Sequence, residues 1–385
     1  MFHESDVVLK ANHIVKQFSA PGKKVLTACS DISLNVYKGK TLGIVGESGC
    51  GKSTLVRMLI QMDAPTSGEI LCHGRDIVHL PEKEKRLNRQ NMQMVFQDPL
   101  ASFNPKMKII DILTEPLMNF KRLKKSEKEK KAKELLGMVE LSEDFLYRYP
   151  HSMSGGQRQR VGIARALSLE PEVLVCDEAT SALDVSIQKT IIELLVKLQK
   201  EKDISIVFIC HDIALIQAFA HQIAVMYLGH IVEVIPGEAV RTRAVHPYTQ
   251  ALLGSLFSIH MEQNCEIRSI EGEVPSPLDV LEGCPFQSRC SFCGSRCRTE
   301  KPKLREIRPG HQAACHRNLD KKKQIFLIRQ ERRRGFRNGD ETTAVFCGER
   351  GYRFDQQGGG DALYNTAACE HDDRQDGEKP GGPSS

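Results

Sequence analysis

Residues 46–54 read Gly-Glu-Ser-Gly-Cys-Gly-Lys-Ser-Thr, and this stretch decides the fold. It matches the phosphate-binding pattern of a glycine, four residues and then Gly-Lys-Ser. Glycines suit such a loop because its backbone must approach a phosphate closely and adopt positive φ angles. The pattern predicts that Lys52 reaches the β- and γ-phosphates of a nucleotide and that the Ser53 hydroxyl binds Mg²⁺.

The sequence on both sides of the loop supports this interpretation. Residues 41–45, Thr-Leu-Gly-Ile-Val, are apolar and partly β-branched, as expected for a buried strand. After the loop, apolar residues recur at helical spacing at Leu55, Met58 and Leu59. A strand, a glycine loop and a helix N-terminus aim successive backbone N–H groups at one phosphate. We therefore predict an α/β fold of the P-loop NTPase class.

A second motif lies at residues 172–178, which read Glu-Val-Leu-Val-Cys-Asp-Glu. An apolar strand that ends in aspartate is how such folds place a carboxylate beside Mg²⁺. We predict that Asp177 is this acid. Glu178 faces differently and can polarise a water molecule for attack on the γ-phosphate.

Composition narrows the class of protein further. The chain has 385 residues, enough for two domains, and its net charge of +5 does not argue for a nucleic-acid partner. It contains neither a run of eighteen apolar residues nor a signal-peptide pattern, so we expect a cytoplasmic protein that does not itself span a membrane. Thirteen cysteines then indicate thiols or metal ligands rather than a disulfide framework.

Between the two motifs, residues 154–160 read Ser-Gly-Gly-Gln-Arg-Gln-Arg and precede an apolar helical stretch. With this segment the chain resembles the ATP-binding subunits of ABC transporters, whose motifs occur here in the family's order. Residues 46–54 match the Walker A loop, and Ser154 to Gln157 match the signature motif. The remaining matches are the Q-loop glutamine Gln97, the Walker B acid Asp177, the catalytic glutamate Glu178, the D-loop Ser181 to Asp184, and the switch histidine His211.

The resemblance implies a complete ATP site. Glu178, His211 and Gln97 would serve catalysis, Phe18 would stack on adenine, and Mg²⁺ would be held by Ser53, Gln97 and Asp177. The implied nucleotide contacts are Phe18, Gly46, Ser48, Gly49, Cys50, Gly51, Lys52, Ser53, Thr54, Gln97 and Asp177, together with Ser154, Gly155, Gly156 and Gln157.

The positions of the motifs predict the domain organisation. Residues 1–240 would form the ABC ATPase domain, with a helical subdomain at about 98–164 that carries the signature at its end. Residues 241–320 would form a small Cys-rich extension that resembles the C-terminal region of oligopeptide and dipeptide importer ATPases. Residues 321–385 lack apolar periodicity. Two explanations remain open for them: a disordered tail or the product of a frameshift.

The resemblance implies the ATP-hydrolysing subunit of an ABC importer for di- and oligopeptides, at the cytoplasmic face of the membrane. Its partners would be a second ABC ATPase subunit (a second copy or a paralogue), two membrane permease subunits and an extracytoplasmic substrate-binding protein. Two alternatives remain: an importer for nickel or another small solute, and a soluble ABC ATPase that acts outside transport. The single ATPase unit and the lack of sustained heptads argue against the soluble alternative.

The cysteines of the extension form the last motif. The resemblance implies a [4Fe–4S] cluster held by Cys284, Cys290, Cys297 and Cys315, with structural zinc as the rival. Cys293 complicates the choice because Cys290 and Cys293 form a C-x-x-C pair that zinc sites favour. We expect the centre to be structural, far from the phosphates, and without a part in hydrolysis.

Overall fold

A computed structural model describes residues 2–181, 183–254, 272–276, 278 and 282–317. In chain order the described strands are β1 (Val7–Ser19), β2 (Val25–Tyr37), β3 (Thr41–Val45), β4 (Ser67–Cys72), β5 (Arg75–Asp76), β6 (Met92–Val95), β7 (Val173–Asp177), β8 (Ser205–Cys210), β9 (Gln222–Tyr227), β10 (His230–Pro236), β11 (Arg305–Arg308) and β12 (His311–Ala313). The predicted tail, residues 321–385, lies outside the described residues.

The described α-helices are α1 (Lys52–Leu59), α2 (Glu82–Asn88), α3 (Pro99–Ser102), α4 (Ile109–Asn119), α5 (Lys128–Met138), α6 (Gly155–Leu167), α7 (Val185–Lys202), α8 (Ile213–Gln217), α9 (Val240–Arg243), α10 (Pro247–Gly254) and α11 (Ser295–Thr299). Short 3₁₀ segments occur at Glu4–Asp6, Pro21–Lys23, Lys125–Glu127, Glu143–Phe145, Pro150–Ser152, Gly237–Ala239 and Gln287–Arg289. Within the described ranges, none of the helices combines the length and the apolar character that crossing a bilayer requires.

The central sheet has the strand order β11-β12-β10-β9-β3-β8-β7-β6. Strands β9, β3, β8, β7 and β6 run parallel to one another. Strands β3, β8 and β9 are buried along their whole length, which explains why their sequences are continuous apolar runs rather than alternating ones. A second, antiparallel sheet of order β2-β1-β4-β5 comes from the N-terminal part of the chain.

Alternate residues of the central strands point to opposite faces and supply two separate cores. On one face, Ile44, Val207 and Met226 pack with α1 and the N-terminal sheet. On the other, Val45, Phe208 and Val225 pack with residues of α4–α8, and this core continues into Tyr248 of α10 and Phe286. Helices α3–α6 pack against one another. They span nearly the same residues as the helical subdomain predicted at about 98–164.

The C-terminal segment joins the central sheet directly. Strand β12 pairs antiparallel with β10, through Glu233 opposite Ala313, and β11 pairs with β12 at the edge of the sheet. Because β11 and β12 come from residues 305–313, the central sheet combines β3, from the early part of the chain, with strands near the end of the described residues.

Candidate nucleotide-binding site

Three parallel strands end at the same edge of the central sheet. Val45 of β3 lies opposite Cys210 of β8, and Asp177 of β7 lies opposite Ile209. The chain therefore leaves these strands in adjacent positions, into the loop that starts at Gly46, into Glu178 and into His211. This is the edge where ligands bind in open parallel α/β sheets.

Glycine is required at two positions of the loop by close backbone packing. A Cβ on Gly46 would lie 2.1 Å from the carbonyl oxygen of Met226, and one on Gly51 would lie 2.1 Å from that of Ala28. Gly51 also has φ of 104°, in the left-handed region that glycine tolerates best. Cys50 is 3 % exposed and lies against Gly46, and burial raises the pKa of its thiol. The side chain therefore fills space and stays protonated near neutral pH.

Lys52 lies across the loop with its ammonium group hydrogen-bonded to the loop backbone. Its Nζ donates to the carbonyl oxygens of Gly46 at 2.8 Å and Glu47 at 2.9 Å, and lies 3.5 Å from Nδ1 of His211. At the next position the Ser53 hydroxyl donates to the Asp177 carboxylate at 3.1 Å. Burial raises the pKa of Asp177, the Ser53 hydrogen bond opposes this shift, and the neighbouring Glu178 adds to it. The Ser53 hydroxyl and the Asp177 carboxylate therefore lie together beside the loop, and both supply oxygen ligands of the kind that Mg²⁺ prefers.

Glu178 and His211 form the second half of the site. Nε2 of His211 lies 2.6 Å from the Glu178 carboxylate, and its Nδ1 lies 3.3 Å from the carbonyl oxygen of Gly46. Glu178 has φ of 47°, a left-handed conformation that is uncommon for a non-glycine residue and often marks functional sites. Gln97 donates to the Ser181 hydroxyl at 3.2 Å, and Ser181 donates to the Glu178 carbonyl oxygen at 3.0 Å. The Q-loop residue is therefore connected to the candidate base.

The other predicted nucleotide contacts differ in their exposure to solvent. Ser48 and Gly49 are exposed at the tip of the loop, whereas Thr54 is half-buried in α1. Phe18, at the end of β1, is 41 % exposed, with the Lys16 ammonium 5.1 Å from its ring centre.

The signature motif makes its own contacts. Ser154 is the N-cap of α6: its hydroxyl accepts from the Gln157 N–H at 3.3 Å, and its own N–H donates to the Gln157 side chain at 2.9 Å. A Cβ on Gly156 would lie 2.7 Å from Ile187 of α7, so the motif packs closely against the segment after the D-loop. In the described part of the chain, no hydrogen bond links residues 154–157 to the phosphate loop.

The C-terminal segment reaches the phosphate loop, a contact that the sequence analysis did not predict. Arg289 donates to the Glu47 carboxylate at 2.8 Å, and the Glu47 N–H donates to the Tyr248 hydroxyl at 3.0 Å. The sequence analysis missed both residues because each contact spans more than 200 positions. An arginine inside the Cys-Pro-Phe-Gln-Ser-Arg-Cys stretch was visible, but nothing local identified its partner.

The cysteines of the extension are free thiols that lie in one neighbourhood. Burial raises the pKa of the Cys284 thiol to about 12, and the nearby thiols of Cys297, Cys315 and Cys290 contribute to the rise. Burial also raises the pKa values of Cys290 and Cys315. Across the described ranges, however, no group of three or more His, Cys, Asp or Glu side chains is arranged to hold a metal ion. The predicted metal centre is therefore unsupported by this geometry.

Fold and site together define an α/β P-loop ATPase: a parallel sheet whose ends present a phosphate loop, a paired serine and aspartate, and a glutamate held by a histidine. Residues 29–181 match the family model described as ABC transporter, and residues 232–297 match that of the oligopeptide/dipeptide transporter C-terminal region. The chain therefore belongs to the ATP-binding proteins of ABC transporters and is an ABC-type ATPase.

Relatives and solved structures agree with this assignment. The chain is 41 % identical over 316 residues to the di/tripeptide transport ATP-binding protein DppF of Pseudomonas aeruginosa, covering 81 % of this chain and 98 % of DppF. It is 42 % identical over 303 residues to the oligopeptide transport ATP-binding protein OppF of Escherichia coli, covering 78 % and 90 %. The dimeric structure of MJ0796, a bacterial ABC transporter cassette, matches with a TM-score of 0.55 and 31 % identity over 60 % of this chain and 99 % of that one.

Proposed function

We propose that this chain is the ATP-hydrolysing subunit of an ABC importer for di- and oligopeptides. The observation that carries the substrate class is the match of residues 232–297 to the oligopeptide/dipeptide transporter C-terminal region. DppF and OppF, both peptide transport ATP-binding proteins, are similar to it over most of their lengths. The proposed organisation is an ATPase domain at 1–240 with a helical subdomain at about 98–164, followed by the extension at 241–320.

In the proposed mechanism, the phosphate loop cradles ATP with its backbone N–H groups and with Lys52. Ser53, Asp177 and Gln97 would be the protein ligands of Mg²⁺. The ion would neutralise the charge that develops on the phosphates. The 3.1 Å contact between Ser53 and Asp177 supports this assignment because it places two suitable oxygen donors together. Phe18, exposed at the end of β1, would stack on the adenine.

Glu178 would act as the general base that polarises the attacking water. His211 would orient the carboxylate, and the 2.6 Å contact between the two supports that role. Glu178 follows directly on Asp177, so the base and the Mg²⁺ ligand are held at fixed separation by one short backbone segment. The strained backbone at Glu178 is consistent with a position fixed by its surroundings rather than by local preference.

Hydrolysis would require a second ATPase subunit, either a second copy or a paralogue. The residues Ser154, Gly155, Gly156 and Gln157 would contact ATP held by the other subunit's phosphate loop. Two observations support this arrangement: among the residues that the structure describes, the signature makes only local hydrogen bonds, and the similar cassette MJ0796 is dimeric. A helix N-terminus with glycines beside it is well suited to a γ-phosphate.

Two membrane permease subunits would dock beside the Q-loop, which would place the chain at the cytoplasmic face of the membrane. A cleft of about 330 Å³ lies there, between the sheet and the helical segment, and Phe96, Pro99, Phe103 and Phe120 are among its lining residues. Its aromatic and proline side chains would receive a partner's apolar side chains, and Gln97 next to the cleft would carry the movement to Glu178. An extracytoplasmic binding protein would deliver the peptide.

We also propose that Cys284, Cys290, Cys297 and Cys315 hold a [4Fe–4S] cluster that stabilises the extension. Four neighbouring thiols in a segment with little core of its own support the proposal. Zinc is the rival, because four thiolates suit it equally well and zinc sites favour a C-x-x-C pair such as Cys290 and Cys293.

The experiment that tests the function uses Glu178→Gln. The amide keeps the shape of the side chain but cannot accept a proton, so ATP should still bind while hydrolysis falls by about 10²–10⁴. Glu172→Gln is the matched control because Glu172 lies next to the same strand and pairs instead with the exposed His73. Near-normal hydrolysis by Glu178→Gln would refute the assignment. Co-purification of this chain from solubilised membranes would identify the permease and hence the solute.

A further inference from the structure

Glu47, the second residue of the phosphate loop, is held at three points. The Lys52 ammonium donates to its carbonyl oxygen at 2.9 Å. The Tyr248 hydroxyl accepts from its N–H at 3.0 Å, and Arg289 donates to its carboxylate at 2.8 Å. Lys52 belongs to the loop itself, as does Cys50, whose N–H donates to the same carbonyl oxygen at 3.3 Å. The other two contacts come from residues that follow the proposed ATPase domain.

The two C-terminal contacts are built on a rigid support. Tyr248 and Phe286 are 0 % and 2 % exposed, and their rings lie 5.3 Å apart. Tyr227, at the end of β9, contacts both, at 4.7 Å and 5.2 Å between ring centres. Arg289 follows Phe286 by one short 3₁₀ turn, and its N–H donates to the Phe286 carbonyl oxygen at 3.2 Å. Packing therefore fixes the position of the guanidinium that reaches Glu47.

Arg289 itself is shielded from solvent. Its side chain is 6 % exposed, and that of Glu47 is 25 % exposed. The guanidinium also lies 3.5 Å from the Tyr227 hydroxyl. A charged hydrogen bond with one nearly buried partner contributes more than an exposed surface pair, because water competes less for either group.

We propose that Arg289 and Tyr248 are positioning residues for ATP binding: through Glu47, the C-terminal segment holds the phosphate loop in its binding conformation and neutralises a carboxylate beside the phosphate site. Without Arg289, the negative charge of Glu47 would oppose the charge of the incoming phosphates, and the loop would lose one of its three anchors. The extension thereby sets nucleotide affinity, in addition to any structural role. This inference rests on the proposed ATP site.

The test compares nucleotide affinity with the rate of hydrolysis in the full chain. Arg289→Gln should raise the Kd for a fluorescent ATP analogue about tenfold, the value expected when a charge-assisted hydrogen bond is lost. Hydrolysis at saturating ATP should be nearly unchanged, because Glu178 and His211 keep their contacts. Arg296→Gln is the matched control: Arg296 is an exposed arginine of the same extension that pairs with Glu300 and does not reach the loop.

A second substitution separates this role from simple destabilisation. In Arg289→Gln, adding Glu47→Gln removes the unpaired carboxylate, so affinity should recover to near that of Glu47→Gln alone. A variant that had merely lost stability would not be rescued in this way. If Arg289→Gln does not fold, Tyr248→Phe removes only the hydroxyl and should raise the Kd about fivefold.

The outcomes are distinct. Wild-type affinity in folded Arg289→Gln, or equal losses in Arg289→Gln and Arg296→Gln, would overturn the inference. Failure of the wild-type chain to bind ATP would instead overturn the proposed function.

Discussion

The buried His246 predicts a specific loss of stability in mild acid. Its side chain is 1 % exposed, and Nδ1 accepts a hydrogen bond from the Tyr248 N–H at 3.1 Å. Burial lowers the pKa of His246 to about 4 from an ordinary value of 6.5; nearby Glu233 opposes the shift and Arg317 adds to it. Because Tyr248 holds the phosphate loop, the protonation of this histidine also concerns the nucleotide site.

The size and sign of the stability loss follow from the pKa of His246 in the folded and in the unfolded chain, about 4 and 6.5. Between pH 6.5 and 4 the unfolded imidazole binds a proton that the folded one excludes, so stability falls as pH falls through this range. At pH 5 the unfolded group is almost fully protonated and the folded group almost fully neutral. The difference corresponds to about 2 kcal/mol of unfolding free energy relative to pH 7.5.

The assay is urea denaturation of the wild type and of His246→Asn at pH 7.5 and pH 5. Asparagine keeps an acceptor for the Tyr248 N–H but does not titrate, so the variant should lose about 2 kcal/mol less than the wild type over this range. The half-buried His221 and His230, whose pKa values burial also lowers, contribute equally to both proteins and cancel in the comparison. His151→Asn, at an exposed site, should retain the wild-type loss. Equal losses in the wild type and His246→Asn would refute the reasoning.

Two further predictions concern the dimer and the cysteines. Ser154→Arg should leave ATP binding by the single chain intact and block ATP-driven dimerisation. Light scattering in the Glu178→Gln background measures the dimer. An equal loss of affinity for ATP in the isolated chain would show instead that the signature contacts the nucleotide bound to its own subunit. Cys290→Ser should abolish iron and acid-labile sulfide in anaerobically purified protein, whereas Cys293→Ser should retain both. Wild-type protein without iron would refute the proposed cluster.

The local geometry of the candidate nucleotide site was predictable because neighbouring residues in the sequence form it. The phosphate loop carries its own glycines, strand and helix, and each is encoded within about fifteen residues of Lys52. The acids at 177 and 178 were predictable for the same reason, since a buried strand that ends in two carboxylates is visible in sequence. Parallel strands then bring these ends together at one edge, as the pairing of β3, β7 and β8 shows.

The attachment of the extension was not predictable from local sequence. Strand β12 is three residues long, and nothing in His311 to Ala313 identifies β10 as its partner. The structure shows that the buried Glu233 of β10 links this strand to β12 and to the chain before α10. It accepts from the Val245 and His246 N–H groups and lies 2.7 Å from Nε2 of His311. A carboxylate in the middle of a buried strand was a visible signal, but its partners lie 12, 13 and 78 positions away.

The strand order explains how a late segment reaches an early loop. Strand β9 runs parallel to β3 and ends with Tyr227 at the end of the sheet where the phosphate loop begins, whereas antiparallel β10 runs back to the opposite end at Pro236. The chain that follows β10 therefore returns to the loop end, where Tyr248 contacts Glu47. Tyr227 closes β9 at that end and packs against Tyr248 and Phe286. A segment attached to β10 needs only a short aromatic support to place Arg289 against Glu47. The contact with the loop therefore depends on Tyr227, against which Tyr248 and Phe286 pack, and we expect changes in the extension to appear first as changes in nucleotide affinity.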